Sequence, residues 1–100
     1  MLEKVIEAKL RDPVRKLGGL CLKFVTPGYT GVPDRLILLP GGRVVFVETK
    51  APGKTERPRQ MFVQRLLHEL GFVVFGSVDS TAKVEAVIDY CKEVINGSTV

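Results

Sequence analysis

The sequence predicts an α/β domain in which helices flank a mixed central β-sheet, with an extra helix at the C-terminal end. The 100 residues are 45% hydrophobic and 26% charged, which suits one compact domain with its own core. Helical periodicity at both ends of the chain encloses short apolar runs that are typical of strands. Two of these runs are joined by a short glycine turn and two by a helix, so antiparallel and parallel neighbours are expected in one sheet. We place this single domain at residues 1–97 and treat residues 98–100 as a short tail.

The first predicted element is a helix, because apolar residues recur at helical spacing over positions 2–10. Asp12 and Pro13 then interrupt the pattern. A proline inside a helix removes a hydrogen bond and collides with the preceding turn, whereas a proline at the first helical position is tolerated. We therefore expect either a kink or a restart at Pro13 that continues to residues 18–19.

Three strands are predicted next, at residues 20–25, 35–39 and 44–47. Residues 27–33 are rich in glycine and proline and predict a loop, and residues 40–42, Pro-Gly-Gly, predict a turn. The third strand is apolar on both faces, which indicates a strand inside the sheet that is covered on both sides.

The second half of the chain predicts a helix, a strand and a helix. Pro58 begins the first of these helices after a loop at residues 51–57, and a strand follows at residues 72–75. Ser80 caps the last helix. The predicted core-facing residues are Phe62, Leu66, Leu67 and Leu70 in the first helix and Val84, Val87, Ile88, Cys91 and Ile95 in the last. The order of elements is thus αβββαβα.

Composition excludes several classes of protein. No apolar run approaches the ~18 residues of a membrane helix, and charged residues alternate at the N-terminus where a signal peptide would be apolar. We therefore expect a cytoplasmic protein without membrane contact. Cys21 and Cys91 lie far apart in apolar surroundings, which predicts buried free thiols.

The net charge of +4 is unevenly distributed. Residues 1–23 carry six basic and three acidic side chains, and residues 50–59 carry four basic and one acidic. Positive charge in one terminal segment and one short loop favours a polyanionic partner such as a nucleic acid.

Charged residues end the buried third strand, and this is unusual enough to suggest chemistry. Glu48 and Lys50 are two positions apart, so both side chains project from the same face of a strand, with Cα atoms about 7 Å apart. A three-residue turn at 40–42 would place Asp34 across from Glu48, whereas a two-residue turn would put the two carboxylates on opposite faces. The glycines of the turn favour three residues. Two opposed carboxylates need a cation between them, and their hard oxygen atoms suit Mg²⁺ or Mn²⁺.

These residues resemble a known motif. Residues 31–35, Gly-Val-Pro-Asp-Arg, followed by residues 48–50, Glu-Thr-Lys, resemble the PD-(D/E)XK nuclease superfamily, whose restriction-endonuclease-like core is an αβββαβ unit. The stretch from residue 23 to 53, with Gln60 beyond it, is similar to the VRR-Nuc branch, which includes short stand-alone proteins of phages and bacteria. The resemblance covers residues 7 to about 76.

The resemblance implies roles for the residues that match the motif. Asp34 and Glu48 would bind the metal, with the main-chain carbonyl of Thr49 completing the site. Lys50 would orient the attacking water and stabilise the charge that develops on the phosphate.

Two further matches are less specific. Glu7 corresponds to the family's additional N-terminal carboxylate, which would bind a second metal directly or through water, and its alternative is an ordinary carboxylate on a helix surface. Gln60 corresponds to a position that helps to order Lys50 or the water, and its alternative is a solvent-facing amide.

Several residues near the predicted site are candidates for contact with nucleic acid. Lys54, Arg57 and Arg59 would bind backbone phosphates, and otherwise they are a solvated loop. Lys23 would reach the scissile region or extend into solvent. Tyr29 would stack on a base or support the turn before Asp34.

A second motif leads to no function. Gly53, Lys54 and Thr55 imitate the end of a phosphate-binding loop, but the first glycine of that motif would fall on Glu48, where a carboxylate repels phosphate. We therefore expect no nucleotide cofactor.

The sequence thus predicts a Mg²⁺- or Mn²⁺-dependent endonuclease that hydrolyses DNA phosphodiesters in the cytoplasm of a bacterium or a phage-infected host cell. The resemblance implies 5′-phosphate products and, with the small basic surface, a homodimer that cuts four-way Holliday junctions. The alternatives are a catalytically inactive nucleic-acid-binding module of the same fold, a flap or duplex nuclease, and a ribonuclease.

Overall fold

The computed structural model describes residues 2–97, so the predicted tail at 98–100 lies outside the described residues. The elements are α1 (Glu3–Lys16), β1 (Leu20–Lys23), β2 (Arg35–Leu39), β3 (Arg43–Thr49), α2 (Pro58–Glu69), β4 (Val73–Val78) and α3 (Thr81–Ile95). The predicted order αβββαβα is confirmed. Within residues 2–97, the longest helix has 15 residues and none has the length and apolar character needed to cross a membrane.

The four strands form one mixed sheet in the order β1-β2-β3-β4. The first three strands are antiparallel neighbours, and β4 pairs with β3 in parallel after the α2 crossover. Leu39 pairs with Arg43, which confirms the three-residue turn. Gly41 and Gly42 have φ angles of +85° and +75°, the left-handed backbone that glycine adopts without steric cost. The predicted mixed sheet is therefore confirmed.

Helix α1 is continuous through Pro13, so the expected restart at this residue is wrong. Ile6, Leu10 and Val14 are fully buried and lie before and after the proline on one face of the helix. Burying each side chain contributes about 1.5–3 kcal/mol, which together outweighs the ~3 kcal/mol cost of an interior proline.

The main core lies between one face of the sheet and the pair of helices α1 and α3. Residues at alternate strand positions face this core, with Ile37 of β2 and Val45 and Val47 of β3 at most 1% exposed. Helix α3 begins at its Ser80 cap, which accepts a hydrogen bond from the main-chain N–H of Lys83 at 3.3 Å. The buried residues of α3 are Val84, Val87, Ile88, Cys91 and Val94, whereas Ile95 is only partly buried. Cys21 and Cys91 are buried free thiols, as predicted.

Helix α2 packs on the opposite face of the sheet, against β4. Of its residues only Val63 is fully buried, whereas Phe62 is 48% and Leu70 is 65% exposed. The prediction that Phe62 and Leu70 face the core is therefore wrong. The apolar spacing in α2 is helical, but this face of the sheet has one helix on it instead of two, so part of the apolar stripe remains in solvent.

Candidate active site

The candidate site is built around the last residues of β3, where alternation sends neighbouring side chains to opposite faces. Val47 faces the core of α1 and α3, so Glu48 and Lys50 project toward the α2 side. The carboxylate of Glu48 and the ammonium of Lys50 are 5% and 16% exposed, and Lys50 Nζ lies 3.7 Å from Glu48 Oε2. The two side chains therefore share one site, as their spacing predicts.

Asp34 lies beside this strand end because of the hairpin register. Arg35 pairs with Val47, so the next position along the two strands brings Asp34 beside Glu48. The main-chain N–H of Thr49 donates to Asp34 Oδ1 at 2.8 Å, and the Thr49 hydroxyl donates to Oδ2. These hydrogen bonds hold the Asp34 carboxylate against the end of β3.

The environment of Glu48 disfavours a negative charge. Burial and the nearby charge of Asp34 raise the pKa of Glu48 to about 7, although the charge of Lys50 acts in the opposite direction. Burial also raises the pKa of Asp34, an effect that the hydrogen bonds from Thr49 oppose. One oxygen of Glu48, Oε1, is buried and has no hydrogen-bond partner among the described residues.

These features fit a divalent cation. A buried carboxylate oxygen without a partner loses solvation that a metal ion would replace, and a positive charge would favour ionised Asp34 and Glu48. Residues 2–97 contain no group of three or more His, Cys, Asp and Glu side chains that could hold a metal. Mg²⁺ often uses only one or two carboxylates and retains several waters. The pair of carboxylates therefore fits a hard cation that keeps several waters better than a metal that requires a full set of protein ligands.

Gln60 connects helix α2 to the site. Its Nε2 donates to Glu48 Oε2 at 3.3 Å, and its Oε1 accepts from the main-chain N–H of Arg57 at 2.8 Å. Pro58 stands at the start of α2 between these residues and fixes the backbone for the first turn. Gln60 is therefore only partly exposed and its amide contacts Glu48, whereas its predicted role in ordering Lys50 or the water stays a prediction.

Glu7 forms an ion pair with Arg35 that the sequence interpretation did not predict. Arg35 Nη2 lies 2.8 Å from Glu7 Oε1, and Arg35 Nε donates to Oε2 at 3.3 Å. The carboxylate is 23% exposed, so Glu7 is more than an ordinary surface residue. Glu3, one turn earlier on α1, also approaches the site, because its Oε1 lies 3.4 Å from the Thr49 hydroxyl oxygen, whose proton is donated to Asp34. A second metal at Glu7 remains a prediction, and it would compete with Arg35.

The candidates for nucleic-acid contact do not form one group. Lys54 and Arg57 are exposed in the loop that precedes α2. Lys23 is also exposed, but it is two residues from buried Cys21 and therefore projects toward the α1 side of the sheet, away from Glu48. Their contacts with phosphate remain predictions.

Tyr29 and Arg59 lie together. The guanidinium of Arg59 is 4.9 Å from the ring centre of Tyr29 and 5.4 Å from that of Phe62. Arg59 Nε donates to the carbonyl of Thr30 at 3.1 Å. Phe62 lies outside the core and contacts Arg59 in this cluster. Its helical spacing in the sequence did not indicate this position.

Glu56 is a further residue that sequence reasoning missed. Its carboxylate accepts hydrogen bonds from the hydroxyl of Ser77 and the amide of Gln64. Ser77 has a φ of +49° in an irregular part of β4, where the pairing with β3 shifts between Val47 and Thr49. Glu56 therefore connects the basic loop, residues 50–59, to β4. The sequence pattern that predicts a strand does not indicate this contact.

Known proteins resemble this chain both in sequence and in structure. No family model matches the chain. The chain is 46% identical over 87 residues to "Putative nuclease p44" of Acyrthosiphon pisum secondary endosymbiont phage 1, and the match covers 85% of this chain and 94% of that protein. A solved structure described as a VRR_NUC domain superposes with a TM-score of 0.79 at 29% identity, covering 88% of this chain and 95% of its own.

The structural match and the sequence match each cover most of this chain and nearly the full length of the matched protein. The fold and the sequence similarity agree with the motif of residues 31–35 and 48–50. This chain therefore belongs to the VRR-Nuc family of the PD-(D/E)XK nuclease superfamily.

Proposed function

We propose that this protein is a Mg²⁺- or Mn²⁺-dependent endonuclease that hydrolyses DNA phosphodiesters and is selective for four-way junctions. The observation that carries the proposal is the buried Glu48 carboxylate, which lies beside Asp34 and contacts Lys50 through one oxygen while the other has no partner among residues 2–97. A carboxylate in this condition is suited to a cation.

Asp34, Glu48 and the Thr49 carbonyl would hold the metal. When bound, the metal would supply Lewis-acid polarisation of the phosphate and lower the pKa of a bound water. Lys50 is positioned on the same side and 16% exposed, so its ammonium can donate to an attacking water or to a phosphate oxygen on which charge develops.

Gln60 and Glu7 act through neighbouring groups in this proposal. Gln60 holds Glu48 Oε2, which keeps the carboxylate in place with Oε1 left for the metal. Glu7 holds Arg35 beside Asp34, and it adds to the negative potential that raises the pKa of Asp34. A contact of Glu7 with a second metal through water remains a prediction.

Selectivity for DNA shape is proposed over selectivity for sequence. The described residues contain the seven elements of the core and no additional helix or hairpin that would occupy a groove. Reading bases directly requires such an element. Lys54 and Arg57 offer positive charge for phosphates, which positions DNA without reading its sequence.

The proposal includes a homodimer, which would suit a four-way junction as substrate. Leu20 and Leu22, each 42% exposed, project from the edge strand β1 on the side opposite α1 and α3. Exposed apolar residues on an edge strand favour burial by another chain. A twofold pair would present two metal sites and twice the basic surface to a substrate with twofold symmetry.

The dimer is tested by light scattering during gel filtration at micromolar concentration. We expect twice the monomer mass for the wild type and the monomer mass for Leu22→Lys. Val25→Lys, at a residue that is 67% exposed just beyond β1, is the matched control and should remain dimeric. A monomeric wild type would contradict the homodimer and favour a single-site nuclease that acts on flaps or duplex.

The activity is tested with labelled single-stranded, duplex, flapped and four-way substrates of DNA and of RNA, each with Mg²⁺, Mn²⁺ or EDTA. We expect metal-dependent cleavage that is fastest on the four-way DNA junction. Binding without cleavage in either metal would identify the inactive module, and preferential cleavage of RNA would identify a ribonuclease. Equal rates on junction and matched linear duplex would remove the structural selectivity.

Variants assign the roles. Asp34→Asn and Glu48→Gln should abolish cleavage and Mn²⁺ binding by calorimetry while DNA binding stays near wild type. Lys50→Ala should abolish cleavage but keep the metal. Metal-supported cleavage by Glu48→Gln would overturn the assignment.

A further inference from the structure

An exposed cluster of two aromatic rings and one guanidinium lies beside the candidate active site. We call Tyr29, Arg59 and Phe62 the ring cluster. Arg59 is adjacent in sequence to Gln60, whose amide reaches Glu48, so the cluster begins one residue from the side chain that contacts the site. Tyr29 lies in the loop that leads to Asp34.

The ring cluster is held in one arrangement. The Tyr29 loop is closed on itself, because the Thr26 hydroxyl donates to the Tyr29 carbonyl at 2.7 Å and the Tyr29 N–H donates to the Thr26 carbonyl at 3.3 Å. Arg59 Nε donates to the Thr30 carbonyl at 3.1 Å. The guanidinium is thereby fixed between two ring faces, and its two terminal nitrogens are not engaged in this contact.

Core packing does not explain the exposure of the rings. Tyr29 is 44% and Phe62 is 48% exposed, although Phe24 and Phe46 pack against each other on the same side of the sheet with ring centres 5.8 Å apart. An arginine that only joined a loop to a helix would not need two large rings held partly in solvent. Exposed rings around a fixed cation are a surface to which a planar, negatively charged ligand is complementary.

We propose that the ring cluster binds one unstacked nucleotide of the DNA substrate, with its base against Phe62 or Tyr29 and its phosphate at Arg59. The proposal rests on the proposed nuclease function and specifies the substrate. Aromatic rings stack on any base, and arginine binds phosphate through paired donors, so the site recognises a nucleotide without reading its identity. The positive loop at residues 50–59 gives the same region the charge that a DNA strand requires.

The proposal has a consequence for substrate choice. A nucleotide in a regular duplex must lose its pairing and stacking before a protein ring can stack on it, whereas a nucleotide at a branch or in a single strand loses less. The ring cluster therefore favours substrates with an unpaired or weakly stacked base beside the scissile phosphate. This accounts for selectivity between DNA shapes within one protomer, whatever the oligomeric state.

The test combines removal of a ring with removal of a base. Abasic residues, which keep the phosphate and lack the base, are placed one at a time around the branch of a four-way junction and a flap, and binding is measured in EDTA so that the DNA stays intact. Phe62→Leu and Tyr29→Leu remove a ring and keep an apolar side chain. Met61→Leu, at a 53% exposed residue of the same helical turn, is the matched control.

One abasic position should weaken wild-type binding by about 5- to 150-fold, the range for loss of one stacked base. Phe62→Leu or Tyr29→Leu should weaken binding to intact DNA by a similar factor and then be insensitive to the abasic residue at that position, whereas Met61→Leu should behave as wild type. The opposite result is that, at every position, the factor lost through the ring substitution and the factor lost through the abasic residue simply multiply. If the thermal unfolding of the variants is unchanged, this result would overturn the proposal that the ring cluster binds a nucleotide. Independent losses in a protein that still cleaves DNA would refute this inference alone, and a wild type that neither binds nor cleaves DNA would refute the proposed function.

Discussion

Gln60 Nε2 donates a hydrogen bond to Glu48 Oε2 at 3.3 Å, and the two residues are joined by the loop that carries the basic side chains. Lys50 Nζ approaches the same oxygen at 3.7 Å. Because both contacts use Oε2, the buried Oε1 is left as the atom through which Glu48 can bind a cation. The amide of Gln60 therefore controls the orientation of the carboxylate.

Gln60→Ala should lower metal affinity and the cleavage rate by roughly 10- to 100-fold, the usual effect of removing a residue that orients a metal ligand. Calorimetry with Mn²⁺ and single-turnover cleavage measure the two quantities. Gln64→Ala is the control, since this amide is one turn further along α2 and contacts Glu56 instead. Equal metal affinity in Gln60→Ala and the wild type would contradict the orienting role.

The pKa of Glu48 predicts how the stability of the metal-free protein depends on pH. The folded pKa is about 7 and the ordinary value is 4.5, so between these values the folded state holds a proton that the unfolded state has released. The free energy of unfolding of the metal-free wild type should therefore fall as the pH rises from 4.5 to 7 and stay low above it. Glu48→Gln removes this effect and should be more stable than the wild type at pH 8 by roughly 1–3 kcal/mol.

Urea unfolding in EDTA at several pH values measures this difference, which should shrink toward zero near pH 4.5. Saturating Mg²⁺ should stabilise the wild type at pH 8 and leave Glu48→Gln unchanged, because binding to the folded state alone raises its stability. A difference between the two proteins that is constant from pH 5 to 8 would show that Glu48 does not titrate in this range.

The basic loop predicts a salt dependence. Replacing Lys54 and Arg57 with Ala should weaken binding to all duplex sequences about equally and flatten the dependence of log K on log salt by roughly 0.9 for each lost phosphate contact. Replacing Lys16 and Lys92, which are exposed on α1 and α3, removes the same charge elsewhere and serves as the control. If the slope of the loop variant equals that of the wild type, the loop is only solvated.

Gly31 and Gly28 offer a matched pair of substitutions in one loop. Their φ angles are +88° and +82°, so alanine at either position costs about 1–2 kcal/mol of backbone strain. A Cβ at Gly31 would lie 2.7 Å from Arg59 Cγ and 3.0 Å from the Arg59 carbonyl oxygen, whereas a Cβ at Gly28 would have nothing within 4 Å. Gly31→Ala should therefore lower the free energy of unfolding more than Gly28→Ala, as measured in urea, and it alone should weaken DNA binding by displacing Arg59. Equal effects of both substitutions would mean that the loop moves away from Arg59 without cost.

The sequence contained enough information to predict the hairpin that carries the site. The glycines at 41 and 42 favoured a three-residue turn, and this turn sets the register that brings Asp34 beside Glu48. The spacing of Glu48 and Lys50 placed both on one side of a strand, because alternation along a strand is a local property.

Contacts between distant segments were not predictable in the same way. The apolar pattern of α2 identifies a helix but does not tell how much of it the sheet covers, so Phe62 was assigned to the core although Val63 is the buried residue. The contact of Glu7 with Arg35 and the contact of Glu56 with Ser77 depend on how elements far apart in the chain come together. The expected restart at Pro13 was based on the local cost of a proline inside a helix. The buried residues before and after Pro13 outweigh this cost, so the helix continues.

The unequal covering of the two faces of the sheet bears on how this protein can diverge. The cluster of buried residues that α1 and α3 form with the sheet does not include Val63, the single fully buried residue of α2. Most substitutions in α2 and its preceding loop therefore leave that core intact and cost little stability, because the large losses come from cavities in packed cores. Apart from Gln60, which contacts Glu48, residues 51–70 can accordingly change to suit new nucleic-acid shapes while the scaffold that holds Asp34 and Glu48 stays the same. Selection for new substrates can then act on one helix and one loop.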